Sequence, residues 1–268
     1  MIYVTSFNRA MYNEKGKEFL TSLVEHMSPG DKVWAYHEDS FQSRLAHIHI
    51  WDTYGGKVKY FDIFEEMPEL ADVVERPEFD GIRESKTLSK EIIFLNWHSQ
   101  FFARKVASIM IASISKESIC WLDTDNIVNS KVASREKFSL SPYLSKLLAE
   151  AHICFKSREG SKQHWDSAET SFLLLRTSDA KVRDFCRFWW DLYRTGAVFH
   201  LKIWADANVF DFCRSLSRYQ NLKYINLFRK RPGWKCFTHR LGHRGMARLR
   251  ASTKPRGRND GLFRLLGR

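Results

Sequence analysis

A chain of 268 residues with 44% apolar content is long enough to bury a sizeable core, as one large α/β domain or two small ones, the single domain being the simpler reading. Its formal charge of +12 favours polyanionic partners in general. No run approaches the roughly 18 apolar residues of a spanning helix, no signal pattern opens the chain, and five scattered cysteines without a C-x-x-C pair argue against a disulfide framework or a zinc knuckle.

The expectation is therefore a cytoplasmic protein, soluble or peripheral at the inner face of a membrane. The charge is unevenly distributed. From Arg229 onward there are thirteen Lys and Arg against one acid, Asp260, so this segment carries the whole excess and residues 1–228 are balanced.

Ile2 to Phe7 is a β-branched and aromatic run that predicts a strand, and Lys17 to Met27 places Phe19, Leu20, Leu23 and Val24 at helical spacing. Pro29-Gly30 stops that helix, and Lys32 to His37 alternates as a second strand. The opening 39 residues thus read as a β-α-β unit, whose strand ends are where ligands bind. Residues 40–96 are mixed in polarity and offer only short strand candidates such as Lys57 to Ile63.

Beyond Trp97, Phe102, Val106, Ile109, Met110 and Ile114 fall on one helical face, with Arg104 and Lys105 off it. A buried strand, Ser118 to Leu122, then runs into Asp123-Thr124-Asp125. Later, Ile153 to Phe155 and Ser171 to Leu175 are strand candidates, and Asp179 to Tyr193 and Asp206 to Leu216 are amphipathic helices. From Ala251 a mobile basic tail is expected, with a short apolar tip at Leu262 to Leu266.

An Asp-x-Asp triplet arises about once by chance in a chain of this size, so the triplet alone says little. Its position says more. A hydrophobic strand ending in two carboxylates presents hard oxygen ligands at the carboxyl edge of a sheet, suited to Mg²⁺ or Mn²⁺ and through it to phosphate. The plainer alternative is that Asp123 and Asp125 cap a turn after the strand.

The segment ICWLDTDNIV, preceded by FFARKVASIMIASI, resembles the region around the DxD motif of GT-A glycosyltransferases. That resemblance implies a Rossmann-like α/β fold with a mixed, mostly parallel central sheet flanked by helices. The domain would span about residues 1–250, with a nucleotide-binding part to about 130 and an acceptor part to about 250. It also implies that Asp125 binds the metal directly, and that Asp123 contacts ribose, or the metal through water.

YVTSFN resembles the family's opening nucleotide-binding strand, which places Thr5, Ser6 and Phe7 at the base and ribose; Arg104 and Lys105 join that nucleotide-sugar set. HWDSAETSFLLLR is similar to a segment facing the donor sugar or acceptor, making Glu169 a candidate for sugar hydroxyls, with Asp166 as its neighbour and alternative. LGHRGMARLR resembles a late His-basic-Gly element, with His243 as third metal ligand and Arg244 and Arg248 on the diphosphate; His239 competes for the His role, and either could be a solvated surface residue. Asp206, where a helix begins, is either an N-cap or the base on an acceptor hydroxyl in an inverting reaction.

The resemblance implies transfer from a nucleoside-diphosphate sugar, a UDP-sugar in preference, to a glycan or lipid-linked acceptor. The basic tail would draw the chain to anionic lipid or else to DNA, as in phage enzymes that glycosylate hydroxymethylated bases. A reading from another class is a nucleic-acid binder that uses nine Trp and twenty Phe as stacking platforms. Most of those aromatics fall at core spacing, which weighs against it.

Overall fold

In the computed structural model the described residues are 1–38, 53–79, 90–128, 140–157, 168–201, 203–227 and 237–239, with backbone alone for 90–98, 238 and 239. Cα packing divides the chain into two units, Met1–Thr238 and His239–Arg268, and only His239 of the second is described.

Seven strands form the main sheet: β1 (Ile2–Phe7), β2 (Lys32–His37), β3 (Val58–Asp62), β4 (Ile119–Leu122), β6 (Ile153–Ser157), β7 (Ala168–Leu175) and β8 (Tyr224–Asn226). Their order across the sheet is β3-β2-β1-β4-β7-β6-β8. The first four are mutually parallel, β7 runs antiparallel to both β4 and β6, and β8 is parallel to β6. The strand β5 (Asn126–Val128) lies in a separate two-stranded sheet with β9 (Phe237–His239). This is the mixed, mostly parallel sheet with flanking helices that the GT-A resemblance implies.

Helices cover both faces, and strand alternation divides the core accordingly. Ile2, Val4, Tyr36, Ile119, Trp121, Ile153 and Phe155 point to one side, against α2 (Lys90–Ser113), α4 (Ala180–Arg194) and α5 (Asp206–Ser215). Tyr3, Phe7, Val33, Ala35, Cys120, Leu122 and Cys154 point to the other, against α1 (Lys17–Glu25) and α3 (Leu140–Glu150). With Phe, Tyr, Trp, Leu and Val filling both faces, the central strands have no solvent side. The described cysteines are buried thiols, and no helix among the described residues is long and apolar enough to cross a membrane.

The punctuation of the chain explains the element ends. Helix α1 stops at Glu25, and the turn that follows passes through Gly30 at φ 85°, a left-handed conformation costly for other residues. The Asp31 carboxylate accepts the Ser28 amide in that turn. Asp179 caps α4 by accepting the Lys181 amide at 2.7 Å, and Val182, Phe185, Cys186, Trp189, Trp190 and Tyr193 form its buried stripe.

Helix α2 departs from the expected single apolar face. Ala103, Val106, Ala107, Ile109 and Ala112 are buried, but so are Ser99, Lys105, Ser108 and Ser113. Ile114, expected on the buried face, lies beyond the helix end and is 63% exposed. A helix enclosed on several sides hides polar residues that find partners, and a one-sided periodicity does not reveal them.

Candidate active site

Successive strands β1, β2 and β3 step outward in one direction, and the chain then returns to place β4 on the far side of β1. The crevice beyond the carboxyl ends of β1 and β4 is thus the switch point of the sheet, where ligands bind in such folds. Asp123 leaves β4 at that point.

The Asp123-Thr124-Asp125 triplet is the body of a turn closed by the Asn126 amide on the Asp123 carbonyl at 3.0 Å. Asn126 Nδ2 reinforces it, donating to the Asp123 carbonyl and to the Ser171 carbonyl of β7. The Asp123 carboxylate turns instead to the α2 side. Its Oδ1 accepts the Trp121 indole N–H at 2.7 Å and lies 2.9 Å from Lys105 Nζ, which also donates to Oδ2 at 3.2 Å.

Lys105 is the hub of the site. Its ammonium is 2.7 Å from Asp206 Oδ2, 3.2 Å from Thr170 Oγ1 and 5.6 Å from the centre of the Trp121 ring. The Thr170 hydroxyl accepts from Lys105 and donates to Asp206. Lys105 and Asp206 side chains are each only 10% exposed, so these two form a buried ion pair, whereas the Asp123 side chain is one-third exposed.

A local irregularity aims Thr170 there. Along the β6–β7 ladder Phe155 opposes Leu173 but the next residue, Lys156, opposes Glu169, so residues 170–172 have no partner on β6 and bulge there, while Phe172 stays paired with Leu122 of β4. Bulges redirect side chains out of the regular alternation, commonly beside active sites.

Two carboxylates sharing one ammonium are driven apart in acidity. Burial raises the Asp123 pKa; Lys105 opposes the rise, while the charges of Asp125 and Asp206 add to it, and the net result is upward. Burial works to raise the Asp206 pKa as well. There the Lys105 charge, its hydrogen bond, the Thr170 hydroxyl and the Ala207 amide outweigh it, leaving Asp206 below the ordinary carboxylate value. Lys105 itself resists burial because both carboxylates hold its proton.

A second polar group lies beside the first, at the ends of β1 and β2. Ser6 Oγ donates to Glu38 Oε1 at 2.8 Å, and Arg104 Nη1 is 3.5 Å from Glu38 Oε2. Consecutive cations of α2 therefore serve two neighbouring carboxylates, Arg104 at Glu38 and Lys105 at Asp123. On the opposite face Thr5 is fully buried, and its hydroxyl has no hydrogen-bond partner among the described residues. Phe7 is 2% exposed, stacked under Tyr12 at 5.4 Å and edge-on to Tyr60 at 5.9 Å, so a ligand at this edge meets Tyr12 before Phe7.

No protein-family model matches the chain, and no curated protein matches it in sequence. Solved structures do match in shape. Mouse xyloside xylosyltransferase 1 in its apo form aligns with a TM-score of 0.53 at 12% identity, over 85% of each chain. The glycosyltransferase GlyE of Streptococcus pneumoniae TIGR4 aligns over 85% of this chain and 46% of its own, at 14% identity and a TM-score of 0.48. The galactosyltransferase LgtC in complex with donor and acceptor sugar analogs aligns over 85% of this chain and 74% of its own, at 14% identity and a TM-score of 0.49.

The chain has the GT-A glycosyltransferase fold.

In this GT-A frame the sequence-predicted residues distribute unequally. Asp123, Lys105 and Asp206 converge. Arg104 and Ser6 meet through Glu38, one residue along α2. Glu169 lies beside the cluster in sequence, but its carboxylate accepts the Ser171 hydroxyl at 3.0 Å and pairs with Lys156 at 3.8 Å. Asp206 is the first residue of α5 and Ala205 stands at the N-cap position, where no side chain caps the helix, so the N-cap alternative for Asp206 does not hold and its carboxylate goes to Lys105 and Thr170. Lys105, expected off the buried face, is buried.

His243, Arg244, Arg248, Asp166 and the tail from Ala251 lie outside the described residues, as does the side chain of His239. Glu38, Trp121, Thr170 and Tyr12 were not singled out as site residues from sequence. Glu38 alone carried a readable signal, an acid directly after a parallel strand.

Among the described residues no three His, Cys, Asp or Glu side chains converge as a metal cage. The donor set is nonetheless suited to a divalent ion. Asp123 experiences the charges of Asp125 and Asp206 besides that of Lys105, and the hard oxygens of Asp123 and Asp125 are those Mg²⁺ and Mn²⁺ prefer.

Proposed function

We propose that this chain is a glycosyltransferase that moves a sugar from a nucleoside-diphosphate sugar, a UDP-sugar in preference, to a glycan hydroxyl. The observation that carries the reading is the Lys105 ammonium held between Asp123 and Asp206 at the switch point of a GT-A sheet. Such a cluster offers a sugar both fixed acceptors and a fixed donor, in a place shielded enough for each to count.

Asp125, with Asp123 beside it and His243 as third ligand, would hold Mn²⁺ or Mg²⁺, which supplies Lewis-acid stabilisation of the charge developing on the leaving diphosphate. Arg244 and Arg248 would bind the same diphosphate. Lys105 fixes the Asp123 and Asp206 carboxylates, and through them the hydroxyls of the transferred sugar.

The lowered pKa of Asp206 keeps it ionised but makes it a weak proton acceptor, so its part is orientation. Were the reaction to invert the anomeric carbon, Glu169, with a quarter of its side chain exposed, would be the better placed base. A retaining reaction asks for no such base. The acceptor is a polysaccharide or lipopolysaccharide glycan, and the basic segment from Arg229 supplies attraction to its anionic groups or to an anionic membrane surface.

The test is a panel of nucleotide sugars assayed for hydrolysis with Mn²⁺ and with chelator. One donor should be turned over only with metal, and Asp125→Ala should lower that turnover at least about a hundredfold, as loss of a single charge-stabilising group does elsewhere. Wild-type turnover in Asp125→Ala, or turnover indifferent to chelator, would overturn the metal assignment. No turnover of any nucleotide sugar by the wild type would overturn the function.

A further inference from the structure

We infer that Asp211 of α5 is a positioning residue for sugar transfer: it pins the start of β7 so that the Thr170 hydroxyl stands between Lys105 and Asp206. The inference rests on the donor reading above. Asp211 acts through Thr170 rather than on the sugar itself.

The register of β7 creates the need for such a pin. Ala168 opposes Ser157 and Glu169 opposes Lys156, and continued alternation would set Thr170 opposite Phe155. Leu173 stands there instead, so residues 170–172 are extra to the β6 ladder. Strand residues without ladder partners on one side are aimed by whatever holds the ends of the bulge. At its far end that hold is β4: Phe172 pairs with Leu122, and the Ser171 carbonyl accepts the Asp123 amide at 2.9 Å. At its near end the hold is Asp211.

The Asp211 carboxylate accepts the Ala168 amide through both oxygens, at 3.2 and 3.0 Å. Arg214 of the same helix donates from Nε to Asp211 Oδ1 at 2.7 Å, and its guanidinium carbon lies 5.1 Å from the centre of the Phe155 ring, which braces the carboxylate against β6. Side-chain exposures of 22% for Asp211 and 24% for Arg214 leave both mostly out of water, where a charge-assisted hydrogen bond is strong and directional.

Helix α5 thus meets β7 twice. Asp206 takes the Thr170 hydroxyl and Asp211 takes the Ala168 amide. From Asp206 to Asp211 a helix rises about 7.5 Å, and from Ala168 to Thr170 a strand advances about 6.7 Å, so one helix laid along one strand makes both contacts. Two attachment points fix a register that one would leave free to pivot. A misplacement of about 1 Å, caused far from the reacting atoms, can lower a rate by about a hundredfold.

The experiment measures Mn²⁺-dependent hydrolysis of the nucleotide sugar that the wild type turns over, in a cycle of Asp211→Ala, Thr170→Val and the double variant. Each is assayed at a temperature where near-ultraviolet circular dichroism shows it folded. Asp211→Ala should lower kcat at least about tenfold with KM within about twofold, since the contact orients the reacting sugar rather than binding it. In the Thr170→Val background the same substitution should cost less than about twofold more, because two changes in one chain of contacts do not multiply. Asp211→Asn keeps an oxygen acceptor for the Ala168 amide and should recover most of the rate. If Asp211→Ala does not fold, Arg214→Met takes its place in the cycle; it loosens the carboxylate without removing it and should lower kcat about threefold.

Wild-type turnover in Asp211→Ala, or in Arg214→Met where that variant stands in, overturns the inference. Losses that multiply in the double variant overturn it too, since Asp211 would then act by another route than Thr170. A raised KM with kcat unchanged would make Asp211 a binding group and not a positioning one. Each of these leaves the donor reading standing, because the wild type still turns the sugar over. A wild type that hydrolyses no nucleotide sugar removes that reading, and this inference with it.

Discussion

The parallel half of the sheet and its antiparallel strand supply the site in opposite ways. β1, β2 and β4 contribute the residues at their carboxyl ends: Ser6, Glu38 and Asp123. β7 runs the other way, so it reaches the same edge with its beginning, where Glu169, Thr170 and Ser171 lie. The Ser171 carbonyl accepts the Asp123 amide at 2.9 Å, tying the two halves at the point where the chemistry is proposed. A site sought only at strand ends finds half of its members.

Lys105 is the bridge between those halves, so its removal is the strongest way to break the picture. Lys105→Met should destabilise the fold by about 3–5 kcal/mol, because it leaves the buried Asp206 carboxylate without its counter-charge and takes its ammonium partner from the part-exposed Asp123. Urea unfolding measures this. The double variant Lys105→Met, Asp206→Leu should recover part of the loss, since deleting both members of a buried pair costs less than deleting one. A single variant as stable as wild type would mean that Lys105 does not join the halves.

A smaller effect is expected from the antiparallel side. Thr170→Val keeps the shape and removes a hydroxyl that accepts from Lys105 and donates to Asp206. A loss of about 1–3 kcal/mol is expected for leaving buried polar partners unsatisfied. An unchanged unfolding midpoint would show that the bulge of β7 does not serve the cluster.

The same contrast marks what the sequence made legible. β1 and β2 were readable to the residue, because a β-branched run and a clean alternation sit between turn-forming residues, and the Asp123 turn was readable because a hydrophobic strand leads straight into it. Lys105 was not. A lysine on a helix is ordinarily solvated, and only tertiary contacts from β4, β7 and α5 reveal that this one is enclosed. Thr170 was hidden for a related reason: its direction is set by a bulge, which depends on how β6 pairs with β7 rather than on either strand alone. Asp206 was legible as important but not in role, since an acid at a helix start looks the same whether it caps the helix or turns inward.

The finest test concerns acidity. Asp206 has a lowered pKa, so its contribution to stability is present above its unfolded value and is lost as pH falls through the folded one. Asp123 has a raised pKa, so its ionisation costs stability and that cost is relieved as pH falls. On acidification Asp123 therefore takes up its proton before Asp206 does, and the Lys105–Asp206 pair survives longer. Asp206→Asn should reverse the pressure on Asp123: it removes one repelling charge and leaves Lys105 with a single anionic partner among these two. The carboxyl carbon of Asp123, followed by ¹³C NMR, should then titrate at lower pH than in wild type. A midpoint that stays or rises would mean that the two carboxylates do not compete for the same ammonium, and that the parallel and antiparallel halves are not electrostatically joined through Lys105.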